Sequence, residues 1–515
     1  MAPAGSASRS GTILPQPGDA SATLLAIPGP VVQQYNVQDV VADAIDAIDP
    51  DLIVAAPPNP GHVALPHVTN LTDIPVVNPT RSASYQFCPD VGVVFAAVPS
   101  PDQLPPTPTD LPRDVVNRDT RDTIEHGYII TSRLELTIDP HHRETRLDGI
   151  GAYLESLPDA WHDESLITHL STGLRAEYRT SYQENGSTYR VHGAGPPVNT
   201  VGAGIDETKR PLVELSVYPN GAINVESHDP SNFGLCGLEG IGPAKADRLR
   251  EHGFDSRDAI ADTTPNALTK IRGFGEKTAQ TAYNSATAIA TGEVVPRDGG
   301  TLPSGDPIYI DIETNGLNGD IAWLVGVLDG DSDDGHYLSF RQQDHDDHAD
   351  HLNAFMSWLA GPADGRPVIA WNGYGFDFPI IKRQLETHVP KWTGIWENRY
   401  QFDPLYYAKT QQYATLPARS NRLEPVARAL GWEPTTTGLD GAAAAAEYNA
   451  WRQTADRPDG YQPDWSRLEA YCEDDVRALA TIYEALQNAS RRPPEVEGSV
   501  QSQTQTTQGS LSDFS

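Results

Sequence analysis

Two carboxylates lie side by side in "PIYIDIETNG", residues 307–316. On an extended strand alternate side chains share a face. Ile308, Ile310 and Ile312 therefore line one face, and Tyr309, Asp311 and Glu313 the other. Like charges at that spacing repel, and burying them is costly without compensation. Two further acids stand where an element would aim them. Asp377, in "WNGYGFDFPIIKRQLE", marks a strand-to-helix junction, with Asn372 five residues before it and Phe376 beside it. Tyr471 and Asp475, in "WSRLEAYCEDDVRALATIYEAL", are spaced i, i+4 and share a helix face. Four carboxylates converging from separate elements make sense around cations. Hard divalent ions such as Mg²⁺ or Mn²⁺ take carboxylate oxygen and water rather than Cys or His. A pair of them suits phosphodiester hydrolysis. Taken alone, Asp311 and Glu313 read more simply as a solvent-exposed strand end. Asp474 is the neighbour that could be mistaken for Asp475, but it does not stand four residues from Tyr471.

The elements that must position these groups follow one another in order. After the Asp311 strand, "IAWLVGVLDG" and "GHYLSF" read as two more strands, "HADHLNAFMSWLAG" as a helix and "PVIAWNG" as a strand. Val476, Leu479, Ile482, Tyr483 and Leu486 form the packing stripe of the last helix. The predicted fold class is α/β multidomain. Residues 1–22 read as a disordered tail, 23–230 as a mixed α/β region of unknown role, and 235–292 as an all-α unit. A Gly- and Pro-rich linker, 293–306, leads to an α/β domain with a central mixed sheet at 307–488, and 489–515 reads as a second disordered tail. In the amino-terminal region "ATLLAIPG", "DLIVAAPP", "VGVVFAAVP" and the single run "HGYIITSRLELTID" are expected strands. "VQDVVADAIDAI" is an expected helix, and "PLVELSVYPNGAINVESH" a hairpin turning at Asn220-Gly221.

The all-α unit carries an internal repeat. "LEGIGPAKA" is echoed by "IRGFGEKTA", so Gly240 and Gly242 match Gly273 and Gly275. Glycines permit a sharp turn that points backbone N–H groups outward at a helix start, a cradle for phosphate that needs no base contact. Lys245 and Lys277 accompany the two turns. This repeat resembles a tandem helix-hairpin-helix domain, a family of sequence-independent DNA-binding modules. The unit holds seven basic and seven acidic side chains in a chain of net charge −33. A spacer or protein-docking role is the plainer alternative.

Asp-x-Glu, then Asn-x-x-x-Phe-Asp, then Tyr-x-x-x-Asp resembles the three motifs of the DEDDy class, 3′–5′ exonucleases of the ribonuclease H-like superfamily. The resemblance covers about Ile308 to Gln487. It implies that Asp311, Glu313 and Asp475 bind one divalent ion, that Asp311 bridges to a second, that Asp377 acts partly through water, and that Tyr471 orients the attacking water. It also implies a nucleic-acid substrate, DNA more readily than RNA given the helix-hairpin-helix. A structure-specific endonuclease and a non-catalytic DNA-binding adaptor are the rival readings. No polymerase motif is visible, so proofreading would need a partner. Asp403 could add a carboxylate or cap a helix. Phe376 could stack near a terminal base, and Trp371, Tyr374, Tyr406 and Tyr407 could stack on unpaired bases or pack in the core. Arg419 and Arg422, before the helix in "NRLEPVARALGW", could contact phosphate or sit in a solvated loop.

Other features exclude more than they suggest. "DHDDHADH" places His345, His348 and His351 at three-residue steps that drift around a helix, so a hydrated helix start is expected rather than a zinc site. The domain order also resembles multidomain nucleases with a first domain of the restriction-endonuclease type. The Glu-x-Lys candidate here, Glu207 and Lys209, has polar, Gly-rich flanks, and a second active nuclease is not expected. Cys88, Cys236 and Cys472 show no pairing pattern and are expected as reduced thiols. The chain has 70 acidic and 37 basic residues and only seven lysines, a composition that resembles haloarchaeal proteins. High salt screens the repulsion between such a surface and nucleic acid. With no run of transmembrane length, a cytoplasmic, membrane-free setting is expected.

Overall fold

In a computed structural model of the chain the described residues are 7–8 and 20–491, except 35–36, 57–67, 117–119, 121–122, 140–143, 163–165, 177, 185–186, 196–210, 317–318, 437–438 and 440. Most of both expected tails, together with Glu207 and Lys209, lies outside them.

The carboxy-terminal sheet has five strands in the order His336–Arg341, Ala322–Asp329, Ile308–Thr314, Val368–Ile369, Gln401–Phe402. The first three are antiparallel, and the last two run parallel to Ile308–Thr314. The strand carrying Asp311 and Glu313 is thus central and covered on both faces. Ile308, Ile310 and Ile312 pack into a core with Phe355, Ile381 and Leu385 from the helices Asp350–Ala360 and Asp377–His388. Tyr309 points the other way, into a core built on the long helix Trp465–Arg491, with its ring 5.9 Å from that of Tyr483. The alternation read from the sequence holds on both faces. Val476, Leu479, Ile482, Tyr483 and Leu486 are all buried in this second core. At about 1.5–3 kcal/mol for each fully buried apolar side chain, the stripe outweighs the repulsion of two like charges 4 Å apart, about 4 kcal/mol at an effective dielectric of 20. Packing, not attraction, therefore fixes the helix that bears Asp475. At its carboxyl end the helix runs to Arg491, past the expected boundary.

The amino-terminal region is a mixed α/β unit of two sheets, one of seven strands and one of five, joined by a shared apolar core. The expected hairpin is present as Leu212–Val217 and Ile223–His228, with Gly221 at φ +83° in the turn. "HGYIITSRLELTID" is not one strand. It splits into His126–Thr131, in the seven-stranded sheet, and Glu135–Asp139, in a separate two-stranded ribbon. Alternation alone carries no signal for a chain that changes sheets at residues 132–134.

Between these units lies a helical region of short helices closed by Glu276–Thr291. The expected linker after it is not free: Val295–Pro296 pairs with Ala414–Thr415, and Arg297 bonds to Glu239 (2.7 Å). Asp43 meets both later units. Its carboxylate accepts from Gly234 N–H (2.8 Å), faces Arg257 (3.4 Å) and pairs with Arg419 (2.8 Å). No helix among the described residues is long and apolar enough to cross a membrane.

Candidate active site

Asp311 and Glu313 occupy the central strand on the face turned toward the helix Trp465–Arg491. The strand is bulged between Glu313 and Thr314, at the end where the carboxylates stand. Asp377 is the first residue of the helix Asp377–His388. The turn before it is set by Asn372, whose φ of +52° is left-handed and whose carbonyl accepts from Gly375 N–H (2.9 Å) and Phe376 N–H (3.0 Å). Asp475 projects from the long helix, and the Tyr471 hydroxyl donates to its carboxylate. Glu313 and Asp377 are buried, whereas Asp311 and Asp475 are partly open to solvent.

The electrostatics of the four acids are mutual. Burial raises every one of them above the usual carboxylate range. The charged neighbours that add to the effect are acids: Asp377 on Asp311; Asp311, Asp475 and Asp377 on Glu313; Asp403 and Asp475 on Asp377; Asp311, Glu424 and Asp474 on Asp475. Asp377 is pushed up to about 8, although hydrogen bonds from its own N–H and that of Ile312 pull the other way. A set of partly reachable carboxylates, crowded and without a leading cationic neighbour, fits hard divalent cations.

Asp474 does something different. It is buried, and its two oxygens accept from the backbone N–H groups of Thr435 (3.1 Å) and Thr436 (2.7 Å) and from both threonine hydroxyls (2.9 and 2.5 Å). All of its bonding fastens the 435–436 loop to the helix. Asp403 is likewise buried and accepts from Tyr406 N–H (3.1 Å) and Tyr374 N–H (3.3 Å), which is the capping alternative.

One member of the site was missed by sequence reasoning. Cys472 is fully buried, and its Sγ lies 3.7 Å from Asp311 Oδ2. Potential ligand atoms of Asp311, Glu313 and Cys472 all fall within 4.8 Å of one another. Burial, then Asp311, Glu313 and Asp475, push its thiol well up, so it stays protonated and donates to Asp311 rather than offering a thiolate. The sulfur therefore does not turn this into a soft-metal site. The available signal was its position, one residue past Tyr471 on a helix that must touch the Asp311 strand.

Of the expected aromatics, Tyr407 is core. Trp371 is packed, with its indole donating to Asn421 O (3.2 Å), and Phe376 is half-buried against the isoleucine core. Tyr374 and Tyr406 are exposed. Arg419 and Arg422 pair with Asp43 (2.8 Å) and Glu226 (2.6 Å) of the amino-terminal unit, and the Arg422 side chain stays exposed. The histidines do not converge on an ion. His351 is buried with its ring against Ala322 O (2.8 Å), His348 meets Gln342 (3.0 Å), and His345 faces the Trp451 ring. The expected hydrated helix start fails for His351, whose place in the sheet–helix core was not visible from acidic flanks.

The two glycine turns have the same build. Gly240 and Gly273 are left-handed (φ +81° and +92°), and Gly242 and Gly275 are extended residues capping the helices Pro243–Glu251 and Glu276–Thr291. Ile241 N–H bonds to Leu238 O and Phe274 N–H to Ile271 O, both at 3.0 Å. A side chain at Gly242 or Gly275 would meet nothing within 4 Å, so both turns face open space. Lys277 is exposed, whereas Lys245 reaches back to Gly240 O (2.7 Å). The charge count overstates the free cations. Arg257 is buried, bonding to the carbonyls of Gly234 and Asn232, and Arg250 pairs with Asp39.

Residues 308–487 match the family model described as the RNase_H superfamily, and residues 234–286 match the one described as a SAM-like helix-hairpin-helix tandem. The chain thus carries a ribonuclease H-like α/β domain behind a helix-hairpin-helix domain, the build of a nucleic-acid-binding, nuclease-like protein.

Proposed function

We propose that this protein is a metal-dependent 3′–5′ exonuclease of the DEDDy class, acting on nucleic acid and on DNA by preference. The observation that carries the reading is the convergence of Asp311, Glu313, Asp377 and Asp475 from three elements, each acid raised by burial and by at least one of the others. Asp311, Glu313 and Asp475 would hold one divalent ion, and Asp311 with Asp377 a second. Mg²⁺ or Mn²⁺ bound there would supply an activated water and neutralise charge at the leaving oxygen. Tyr471, held by Asp475, orients the water. It is not cast as a general base, since a phenol ordinarily titrates near 10. The Cys472 thiol steadies one oxygen of Asp311. The helix-hairpin-helix supports DNA, because outward-facing amides at two helix starts suit a duplex backbone without reading sequence.

The test is nucleotide release from 3′- and 5′-labelled DNA and RNA with Mn²⁺ in molar KCl, with Asp311→Ala as control. Mononucleotides released from the 3′ end by the wild type alone are expected. Cutting of circular single strands would replace the exonuclease with a structure-specific endonuclease. No product from any linear substrate, with DNA binding retained, would leave an adaptor.

A further inference from the structure

The five-stranded sheet of the amino-terminal unit ends on the strand Ile223–His228, which pairs with Leu212–Val217. The register sets Glu226 directly opposite Glu214, and His228 opposite Leu212. Opposed residues point to the same face of a sheet, and so do residues two apart on one strand. Glu214, Glu226 and His228 therefore share a face, and they meet on it. One ligand atom from each lies within 4.8 Å of the other two. His228 Nε2 is 2.7 Å from Glu214 Oε2. Asn224, the next residue on that face toward the turn, has a buried Oδ1 with no hydrogen-bond partner. Burial raises the Glu226 carboxyl above its ordinary value, against the pull of His228 and Arg422 and with the push of Glu214 and Glu424.

Two ion pairs are the plainer account: His228 with Glu214, and Glu226 with Arg422 (2.6 Å). They do not balance the charge. Glu424 is taken up by Arg428 (2.8 Å), so Arg422 faces two opposed carboxylates that carry one more charge than it does. Like charges directly across a strand pair destabilise it, and a partly exposed ion pair returns at most about 1 kcal/mol. A dication offsets both acids at once. The donor set selects which one. Carboxylate oxygens alone favour Mg²⁺, whereas an imidazole beside them shifts the preference toward Zn²⁺. Donors at zinc-bond length around a tetrahedron stand about 3.3 Å apart, so a set already this close needs only side-chain rotation to converge. Arg422 holds Glu226 through Oε1 from a side chain that is 61 % exposed and free to withdraw. The cluster lies outside the stretches that match either family model, on the seam with the ribonuclease H-like domain, from which Arg422 reaches it.

We propose that Glu214, Glu226 and His228 form a Zn²⁺ site on the edge hairpin of the amino-terminal unit, with water completing the coordination. The site is independent of the nuclease reading, since none of Asp311, Glu313, Asp377 and Asp475 takes part. Unfolding separates the two strands that supply the ligands, so the ion stabilises the hairpin. Arg422 and the ion compete for Glu226. The site therefore couples metal binding to the contact between the amino-terminal unit and the ribonuclease H-like domain, and the coupling is reciprocal.

The test uses the full chain, stripped of metal, in molar KCl with Mg²⁺ in excess so that oxygen-only sites are filled. Zn²⁺ is then titrated, with retention read by equilibrium dialysis and stability by the thermal midpoint. The wild type should retain one Zn²⁺ per chain and melt higher with it. His228→Gln and Glu226→Gln should each weaken binding by about 100-fold or more and lose the rise in midpoint, with metal-free melting curves showing that both are folded. Arg422→Ala should bind Zn²⁺ more tightly than wild type, because the competing guanidinium is gone. His345→Gln alters a histidine that stands among acids elsewhere on the surface, and it should bind as wild type. Equal retention by the wild type and both ligand variants would overturn the proposal. So would a wild type that retains no Zn²⁺ under excess Mg²⁺. Weaker binding by Arg422→Ala would overturn the competition for Glu226, and with it the placement of the ion on that carboxylate.

Discussion

Gly326 stands directly across the sheet from Asp311, and the missing side chain leaves the space that Cys472 Sγ fills. A Cβ at Gly326 would collide with that sulfur and lie 3.1 Å from the Tyr337 hydroxyl. The glycine thus sets how closely the helix carrying Tyr471 and Asp475 approaches the Asp311 strand. Gly326→Ala should cost about 1–3 kcal/mol by overpacking and lower nuclease activity as the helix is pushed away. Cys472→Ala in the same chain should recover part of both. A double-mutant cycle in thermal midpoint and activity measures the coupling, and simple additivity would refute the steric link.

Asp43 should prove the residue on which domain arrangement depends most. Its carboxylate faces Arg257, which is 4 % exposed and whose pKa burial lowers to about 10, and it pairs with Arg419 of the ribonuclease H-like domain. Asp43→Asn leaves a buried guanidinium without its largest compensation. Removing one partner of such a pair costs about 3–5 kcal/mol, and the lower end is expected here because Arg257 keeps bonds to two carbonyls. The expected signature is a lower melting temperature together with faster proteolysis between the domains.

Metal-free protein should respond to pH from both sides. The site carboxyls have native pKa values above the ordinary value near 4, with Asp377 up at about 8. The native state therefore holds protons that the unfolded chain has already released. Stability from these groups is present at low pH and is lost as pH rises from about 4 through about 8. His169 and His192, both pushed down to about 3 by burial, act in the opposite direction. The unfolded chain binds protons below about 6.5 that the native state refuses, so the amino-terminal unit weakens as pH falls toward 3. Saturating Mn²⁺ should remove the alkaline loss and leave the acid one. Calorimetric scans from pH 4 to 9 with and without Mn²⁺ test this, and a metal-free ribonuclease H-like domain that gains stability from pH 5 to 8 would contradict it.

What the sequence disclosed follows from which interactions are local. Ile308 to Glu313 alternate on a strand, Tyr471 and Asp475 sit one turn apart, and the glycine turns repeat every 33 residues. Each is a short-range rule, and each reappears in the fold. Cys472, Gly326, Asp43 and Asp474 were not legible because their partners lie far away in the chain: Cys472 meets Asp311, Asp43 meets Arg257 and Arg419, and Asp474 meets Thr435 and Thr436. The ion pairs of Arg419 with Asp43 and of Arg422 with Glu226 were not legible for the same reason. An arginine beside a groove looks free until the domain that pairs with it is in place.

The helix-hairpin-helix turns separate folding from binding. Gly240 is at φ +81°, a region that L side chains rarely adopt, so Gly240→Ala should cost about 1–2 kcal/mol. Gly242 has an ordinary extended backbone with open space around it. Gly242→Val should cost no more than about 1 kcal/mol of stability, the loss of glycine at a helix cap, while placing bulk between the helix-start amides and a phosphate. DNA affinity should then drop equally for unrelated sequences. A Gly242→Val protein that melts and binds as wild type would remove this hairpin from the DNA interface.

Asp474 and Asp475 offer the sharpest contrast, because adjacent, chemically identical side chains should fail in opposite ways. Asp475 is raised by burial and by Asp311, so its charge works against the metal-free fold. Asp475→Asn should keep or raise the metal-free melting temperature while activity falls by about 100-fold or more, as expected when a group acting on developing charge is lost. Asp474 accepts from two backbone N–H groups and two hydroxyls. Asp474→Asn turns an amide NH₂ toward those donors, and losing such charge-assisted bonds costs about 1.5–3 kcal/mol. Its melting temperature should drop, with Mn²⁺ binding retained in the fraction that is folded. Measuring melting and Mn²⁺ affinity on both variants gives a crossed pattern, stable and metal-poor for Asp475→Asn, unstable and metal-competent for Asp474→Asn. If instead Asp474→Asn lost the metal and Asp475→Asn lost the fold, the choice of Asp475 by its four-residue spacing from Tyr471 would be wrong, and the carboxylate set would have to be rebuilt around its neighbour.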